Sequence, residues 1–226
     1  MKNNNLYFFI FLLLFGLACK NEKTPIKKTI TTNTLKVEND KLHVPTILFY
    51  GNSLTAGYGL DDEFSFPSRI QDSIKTLGLN YNVINAGLSG ETTSGGLQRI
   101  DWVLKQKIDV FVLELGPNDM LRGLPIEKTR ENLILILEKV KTKYPNIKIA
   151  LCEMIAAPNM GKEYAVEFQK IYKDIANDMN IRLIPFFLNG VSAESKYLLP
   201  DGKHPNAKGQ EIAAKNIWKG IQDWII

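Results

Sequence analysis

Hydrophobic residues in this chain gather in short blocks, and the spacing between them switches between two periods. From Thr46 onward, five compact apolar runs recur: "TILFYG" (46–51), "YNVINA" (81–86), "DVFVLELG" (109–116), "IKIALCEMI" (147–155) and "IRLIPFF" (181–187). Between them lie stretches whose apolar positions return every three or four residues, over 64–78, 92–106, 125–145, 162–180 and 206–225. Short apolar runs bounded by turn residues read as strands, and the longer period reads as helix. The run 109–116 is continuous enough to be covered on both faces. The stretch 125–145 has Pro125 near its start, Leu133, Ile136, Leu137 and Val140 on one face, and Pro145 past its end. Strands alternating with helices predict βαβ units: an α/β domain of about five parallel strands with helices on both faces. No internal repeat is present.

The first eighteen residues break this pattern. "MKNNN" is polar, and Leu6 to Ala18 is a near-continuous apolar run of thirteen residues. That is short of the roughly 20 residues a membrane span needs, and it has the length of a signal-peptide core. It ends in Gly16-Leu17-Ala18-Cys19, and small residues directly before a cysteine resemble the lipobox of bacterial lipoproteins. The resemblance implies cleavage after residue 18, lipidation of Cys19, and a protein anchored to a membrane of the bacterial cell envelope. An ordinary secretory signal, with Cys19 incidental, is the alternative. Residues 19–44 are rich in Lys, Thr and Asn with no sustained period, as expected of a flexible tether, although the part from Leu35 also suits an edge strand. The folded domain is then expected over 45–226. The remaining cysteine, Cys152, lies in an apolar run and reads as a small core residue without a disulfide partner.

Composition narrows the function classes. The chain has 226 residues, 45% hydrophobic and 23% charged, with a net charge of +4, which suits one globular domain. The charge is mild and scattered, and no nucleic-acid-binding signature appears. There is no P-loop, no G-x-G-x-x-G and no G-x-S-x-G, and histidines and cysteines are too few for a metal cluster.

What remains is a set of loops that follow predicted strands. In a doubly wound sheet, ligands bind outside the carboxyl ends of the strands. After the first strand comes Gly51-Asn52-Ser53-Leu54, after the second "NAGLSGET", after the third Gly116-Pro117-Asn118-Asp119, and before the last helix "PDGKHPNAKG". Each has a plain structural reading; Ser53, for instance, suits the cap of the helix that follows. Taken together they offer a nucleophile and its helpers. A serine hydroxyl needs a base. The chain has two histidines, and His43 lies at the tether, so His204 is the base if Ser53 reacts. Asp201 is near enough to orient it. Gly90 can present a bare N–H, the amide of Asn118 another, and the backbone of Ser53 a third, as oxyanion donors.

These four blocks resemble the SGNH hydrolases, the GDSL-type esterases and lipases. "GNSLTAGYG", "SGETTSGGLQR", "LELGPNDMLRGLP" and "DGKHPNAKG" are most similar to the secreted acyl-CoA thioesterase, lysophospholipase and arylesterase subgroup. The resemblance implies a three-layer flavodoxin-like fold, Ser53, His204 and Asp201 as the triad, Ser53, Gly90 and Asn118 as the oxyanion hole, and neither metal nor cofactor. It implies a small acyl ester, thioester or lysophospholipid as substrate. One departure stands inside a block: Asn52 replaces the family's usual aspartate, which loses a charge and keeps an acceptor oxygen. Glu91 stands where the subgroup often has an aspartate. The apolar loops Met120 to Pro125 and Ile155 to Gly161 are candidate walls for an acyl chain, Asp119 a brace for its loop, and Ile221, Trp218 and Trp224 core positions of the last helix. A carbohydrate deacetylase of the same family, and an envelope lipoprotein that only binds, remain alternatives.

Overall fold

A computed structural model describes residues 43–226. The expected signal segment, Cys19, the tether up to residue 42 and the edge strand from Leu35 lie outside the described residues. Five strands, β1 (Thr46–Gly51), β2 (Asn82–Gly87), β3 (Val110–Glu114), β4 (Lys148–Cys152) and β5 (Arg182–Ile184), form one sheet in the order β2-β1-β3-β4-β5. All four pairings are parallel, with Ile47 opposite both Val83 and Val110. This is the flavodoxin-like order, in which the chain leaves β1 toward one edge and returns at β3 to build the other.

Burial explains which runs became central. Every residue of β1 and β3 is buried, so neither strand needs polar alternation. β2 is an edge strand and only partly covered. β5 stops at Ile184, shorter than the apolar run 181–187 suggests. After Pro185 the chain leaves the ladder, and Phe187 is buried as irregular chain instead.

The helices are α1 (Ser53–Ala56), α2 (Phe66–Thr76), α3 (Thr93–Val103), α4 (Pro117–Leu121), α5 (Ile126–Lys143), α6 (Lys162–Asp178) and α7 (Ala207–Ile221). α2 buries Phe66, Ile70 and Ile74 and packs on α7; α5 buries Leu133, Ile136, Leu137 and Val140 and packs on α3 and α6. These two groups cover the two faces of the sheet and give the α/β/α layering. Ile221 is fully buried at the end of α7. Trp224 lies beyond that helix, in a 3-10 turn, half-covered by the Arg182 guanidinium 4.1 Å above its ring. Cys152 is a buried free thiol in β4. No helix of the described residues is long and apolar enough to cross a membrane.

Candidate active site

β1 runs into a turn too tight for any side chain at its last residue. A Cβ on Gly51 would lie 2.1 Å from Thr55 Oγ1 and 2.6 Å from Glu114 Oε2. Asn52 then caps α1: its Oδ1 accepts from the Leu54 N–H at 2.9 Å. This corrects the local expectation that Ser53 is the cap. Ser53 is the first helical residue, so its hydroxyl is not committed to capping and its N–H has no intrahelical acceptor.

The serine meets a histidine from 151 positions away. His204 Nε2 and Ser53 Oγ are 2.9 Å apart, and His204 Nδ1 and Asp201 Oδ2 are 2.6 Å apart. The turn that carries both partners is held by its own backbone. Gly202 adopts φ +66°, and Asp201 Oδ1 accepts from the N–H groups of Lys203 (2.9 Å) and His204 (3.0 Å). Those donors, the His204 N–H foremost, then its ring and the Lys203 N–H, hold the Asp201 carboxyl down at about 2. An ionised carboxylate therefore faces the imidazole at neutral pH. Leu199 N–H donates to the His204 carbonyl at 2.7 Å and closes the turn.

The loops after β2 and β3 join this rim through polar contacts. Leu88 N–H donates to the Gly51 carbonyl, and Glu91 N–H to the Leu88 carbonyl, so Gly90 sits at the corner of a turn with φ +81°. Among the described residues, no acceptor takes the Gly90 N–H. Its carbonyl accepts from Arg122 at 2.7 Å. Asn118 donates one side-chain N–H to the Glu91 carbonyl at 2.9 Å, which leaves its second N–H uncommitted. Asp119 braces α4, as expected: it is buried and accepts from the Thr93 N–H and hydroxyl at 2.9 and 2.6 Å. Gly116, at φ +120°, has the Tyr172 hydroxyl 2.0 Å from where a Cβ would stand.

Two charged groups central to this rim are absent from the sequence reading. Glu114, at the end of β3, is 1% exposed. It accepts from the Asn52 side-chain amide (2.7 Å), the Thr55 hydroxyl (2.8 Å) and the Asn52 N–H (3.2 Å), directly beneath Ser53. Burial pushes its carboxyl up to about 7 against those three donors. The available signal is a glutamate closing an otherwise apolar buried run. The other is Arg99 on α3. It pairs with both oxygens of Glu91 at 2.5 Å, donates to the Ala86 carbonyl, and lies 4.1 Å over the Tyr50 ring. It clamps the loop that carries Gly90. Among the described residues, no group of three or more His, Cys, Asp or Glu is placed to hold a metal ion.

The two apolar loops expected beside the site touch each other. The Ala157 N–H donates to Met120 Sδ at 3.2 Å, while Leu121 and Ile155 stay exposed at the rim. The arrangement presents a hydroxyl on an imidazole, open N–H donors beside it, and an apolar border.

The sequence profile of the GDSL-like Lipase/Acylhydrolase family matches residues 49–212. An arylesterase of Vibrio mimicus is 36% identical over 172 residues, covering 76% of this chain and 85% of the relative. The thioesterase 1/protease 1/lysophospholipase L1 of Escherichia coli is 34% identical over 178 residues, covering 78% and 83%. The crystal structure of a psychrotrophic esterase, EstA from Pseudoalteromonas, inhibited by monoethylphosphonate, superposes with a TM-score of 0.75 at 34% identity, covering 79% of this chain and 97% of that one.

Proposed function

Since the chain belongs to the GDSL-like Lipase/Acylhydrolase family and is a serine ester hydrolase, we propose that it transfers acyl groups from ester or thioester substrates to Ser53 and then to water. The observation that carries this reading is the continuous contact from Ser53 Oγ through the His204 ring to Asp201, at 2.9 and 2.6 Å. His204 takes the hydroxyl proton as Oγ bonds to the carbonyl carbon. The carbonyl π pair moves onto oxygen. The N–H groups of Ser53 and Gly90 and the free amide N–H of Asn118 receive that charge, each worth about 3–4 kcal/mol where such donors have been removed elsewhere. His204 then protonates the leaving alcohol or thiol, and the acyl group stays on Oγ. Water repeats the sequence with His204 as base, releasing the acid. Asp201 holds the ring in one tautomer and balances the imidazolium charge.

The substrate class follows from the border. Leu121 and Ile155 offer exposed aliphatic surface beside the Asn118 loop, suited to an acyl chain rather than to a sugar face. The relatives named arylesterase and lysophospholipase fit acyl esters of this kind. We place the enzyme at the bacterial cell envelope, exported by the Leu6–Ala18 segment and lipid-anchored at Cys19; the Gly-Leu-Ala-Cys sequence supports this. Cys19→Ala is expected to move the protein from the membrane to the soluble fraction, and retention in the membrane would refute the anchor.

The test of the chemistry uses protein beginning after Cys19 and p-nitrophenyl esters of two to sixteen carbons. Turnover is expected to favour chains longer than acetyl and to vanish in Ser53→Ala. A phosphonate monoester should add to Ser53, as intact mass would show. Undiminished turnover in Ser53→Ala would overturn the mechanism, and strict acetyl preference would overturn the acyl-chain reading.

A further inference from the structure

The imidazole of His204 has both ring nitrogens engaged at its edges, by Asp201 and Ser53. One face of the ring carries a third contact. The Tyr58 ring lies 4.4 Å from it, centroid to centroid, with the planes 38° apart. Tyr58 is 50% exposed, and its other face is open to solvent.

Its backbone is fixed with unusual care. Tyr58 stands between Gly57 and Gly59, at φ +76° and +77°. The N–H groups of Gly57 and Tyr58 both donate to the Ser53 carbonyl, at 3.1 and 3.0 Å. A Cβ on Gly57 would come within 2.8 Å of Ser65 Cβ, and one on Gly59 within 2.8 Å of Leu199 Cδ1. The residue that supplies the hydroxyl therefore also anchors the turn that lays Tyr58 on the histidine. Leu199, against Gly59, is bonded to the His204 carbonyl, so the two turns are locked together from both sides.

We infer that Tyr58 is a positioning residue for His204: its ring, set by the Ser53 turn, holds the imidazole plane against Ser53 and Asp201 and stabilises the imidazolium that forms during acyl transfer. The inference rests on His204 being the base. Its physical ground is the exposure of the dyad. The Asp201 and His204 side chains keep 36% and 22% of their surface in water, so their mutual attraction is screened. The π face of Tyr58 adds negative potential on the open side and excludes water there. The groups that face the ring are Asp201 from its own turn, Ser53 from α1 and Tyr58; Lys203 is the adjacent cation in the turn.

The experiment compares Tyr58→Leu and Tyr58→Phe with wild type and Ser53→Ala, in kcat and KM on a p-nitrophenyl ester from pH 5 to 9. The His204 titration is followed by NMR in parallel. With two histidines in the chain, a His43→Gln background isolates that signal, so the readout survives any loss of turnover. Tyr58→Leu is expected to lower kcat about threefold to tenfold and to move the His204 titration down by about half to one pH unit. KM should stay within about twofold, and Phe should recover both kcat and the titration, because the ring face and not the hydroxyl acts. A His204 titration and kcat in Tyr58→Leu that coincide with wild type would overturn the inference, as would failure of Phe to recover them. Turnover retained in Ser53→Ala would overturn it together with the mechanism beneath it, and so separates the two failures.

Discussion

Replacing Asn52 by aspartate would place two carboxylates 2.7 Å apart beneath Ser53, where an amide now donates to Glu114. Both sites are about 1% exposed, so neither charge can turn to water. With the charge centres about 4 Å apart and an effective dielectric near 20, the repulsion between such groups is about 4 kcal/mol, or about three pKa units. The pair would hold one proton between its oxygens well above neutrality. In the native protein, burial raises Glu114 from its ordinary 4.5 to about 7. A carboxyl raised on folding is protonated in the native state while the unfolded chain has released its proton. Stability therefore falls as pH rises through that interval and levels off above the native pKa. For the native protein the fall from this group ends near pH 7. In Asn52→Asp it should continue above pH 7 at about 1.4 kcal/mol per unit, reaching about 3 kcal/mol by pH 9 to 10. In a domain of this size that is a drop of about 6 to 12 °C in Tm. Denaturant unfolding from pH 5 to 10 reads it directly. The double variant Asn52→Asp/Glu114→Gln exchanges amide and acid, restores one donor facing one acceptor, and should remove the extra slope. Parallel stability curves for wild type and Asn52→Asp above pH 7 would rule out a shared proton between the two carboxylates, and so would a double variant that keeps the slope.

Substitutions at three further positions, Gly87, Asp201 and Arg99, have expected outcomes. Gly87→Ala puts a Cβ 2.3 Å from Ala56 N and 2.7 Å from its Cα, so α1 must shift and carry Ser53 with it; kcat should fall about a hundredfold, since a displacement near 1 Å suffices for that, and unchanged kinetics would mean that α1 is not held by β2. Asp201→Asn should lower kcat by about three to four orders of magnitude through loss of the tautomer and of the balancing charge. Because the Asp201 carboxyl is depressed to about 2 from an ordinary 3.8, the stability it adds is present above about pH 4 and lost as pH falls toward 2, so the unfolding curves of wild type and variant should converge over that interval. Arg99→Met strands the Glu91 carboxylate, whose side chain is 2% exposed, and should cost about 3–5 kcal/mol by thermal or denaturant unfolding; adding Glu91→Gln should recover part of it.

Local sequence determined the order and type of the five strands and the five long helices. Burial of β1 and β3 is written in their apolar runs 47–50 and 110–113, and the faces of α2, α5 and α7 in their three-to-four-residue spacing. Parallel pairing follows from alternation, and from that follows a rim where Ser53, Gly90, Asn118 and His204 stand at loop positions. The sheet then decided what periodicity cannot carry. Asn52 caps α1 in place of Ser53 because Glu114, 62 positions away, holds its amide. β5 ends at Ile184, and the rest of its apolar run enters the core as irregular chain, with Phe187 fully buried. Glu114 reads as a polar flaw in a strand until three donors surround it, Arg99 as one more helix-surface cation until Glu91 and Tyr50 meet it, and Tyr58 as an exposed aromatic until the last loop brings His204 under its ring. Each of these pairings joins groups on different elements. Hydrophobic spacing records only which side of an element leaves water, whereas a buried charge is set by donors that arrive from elsewhere once the layers have closed.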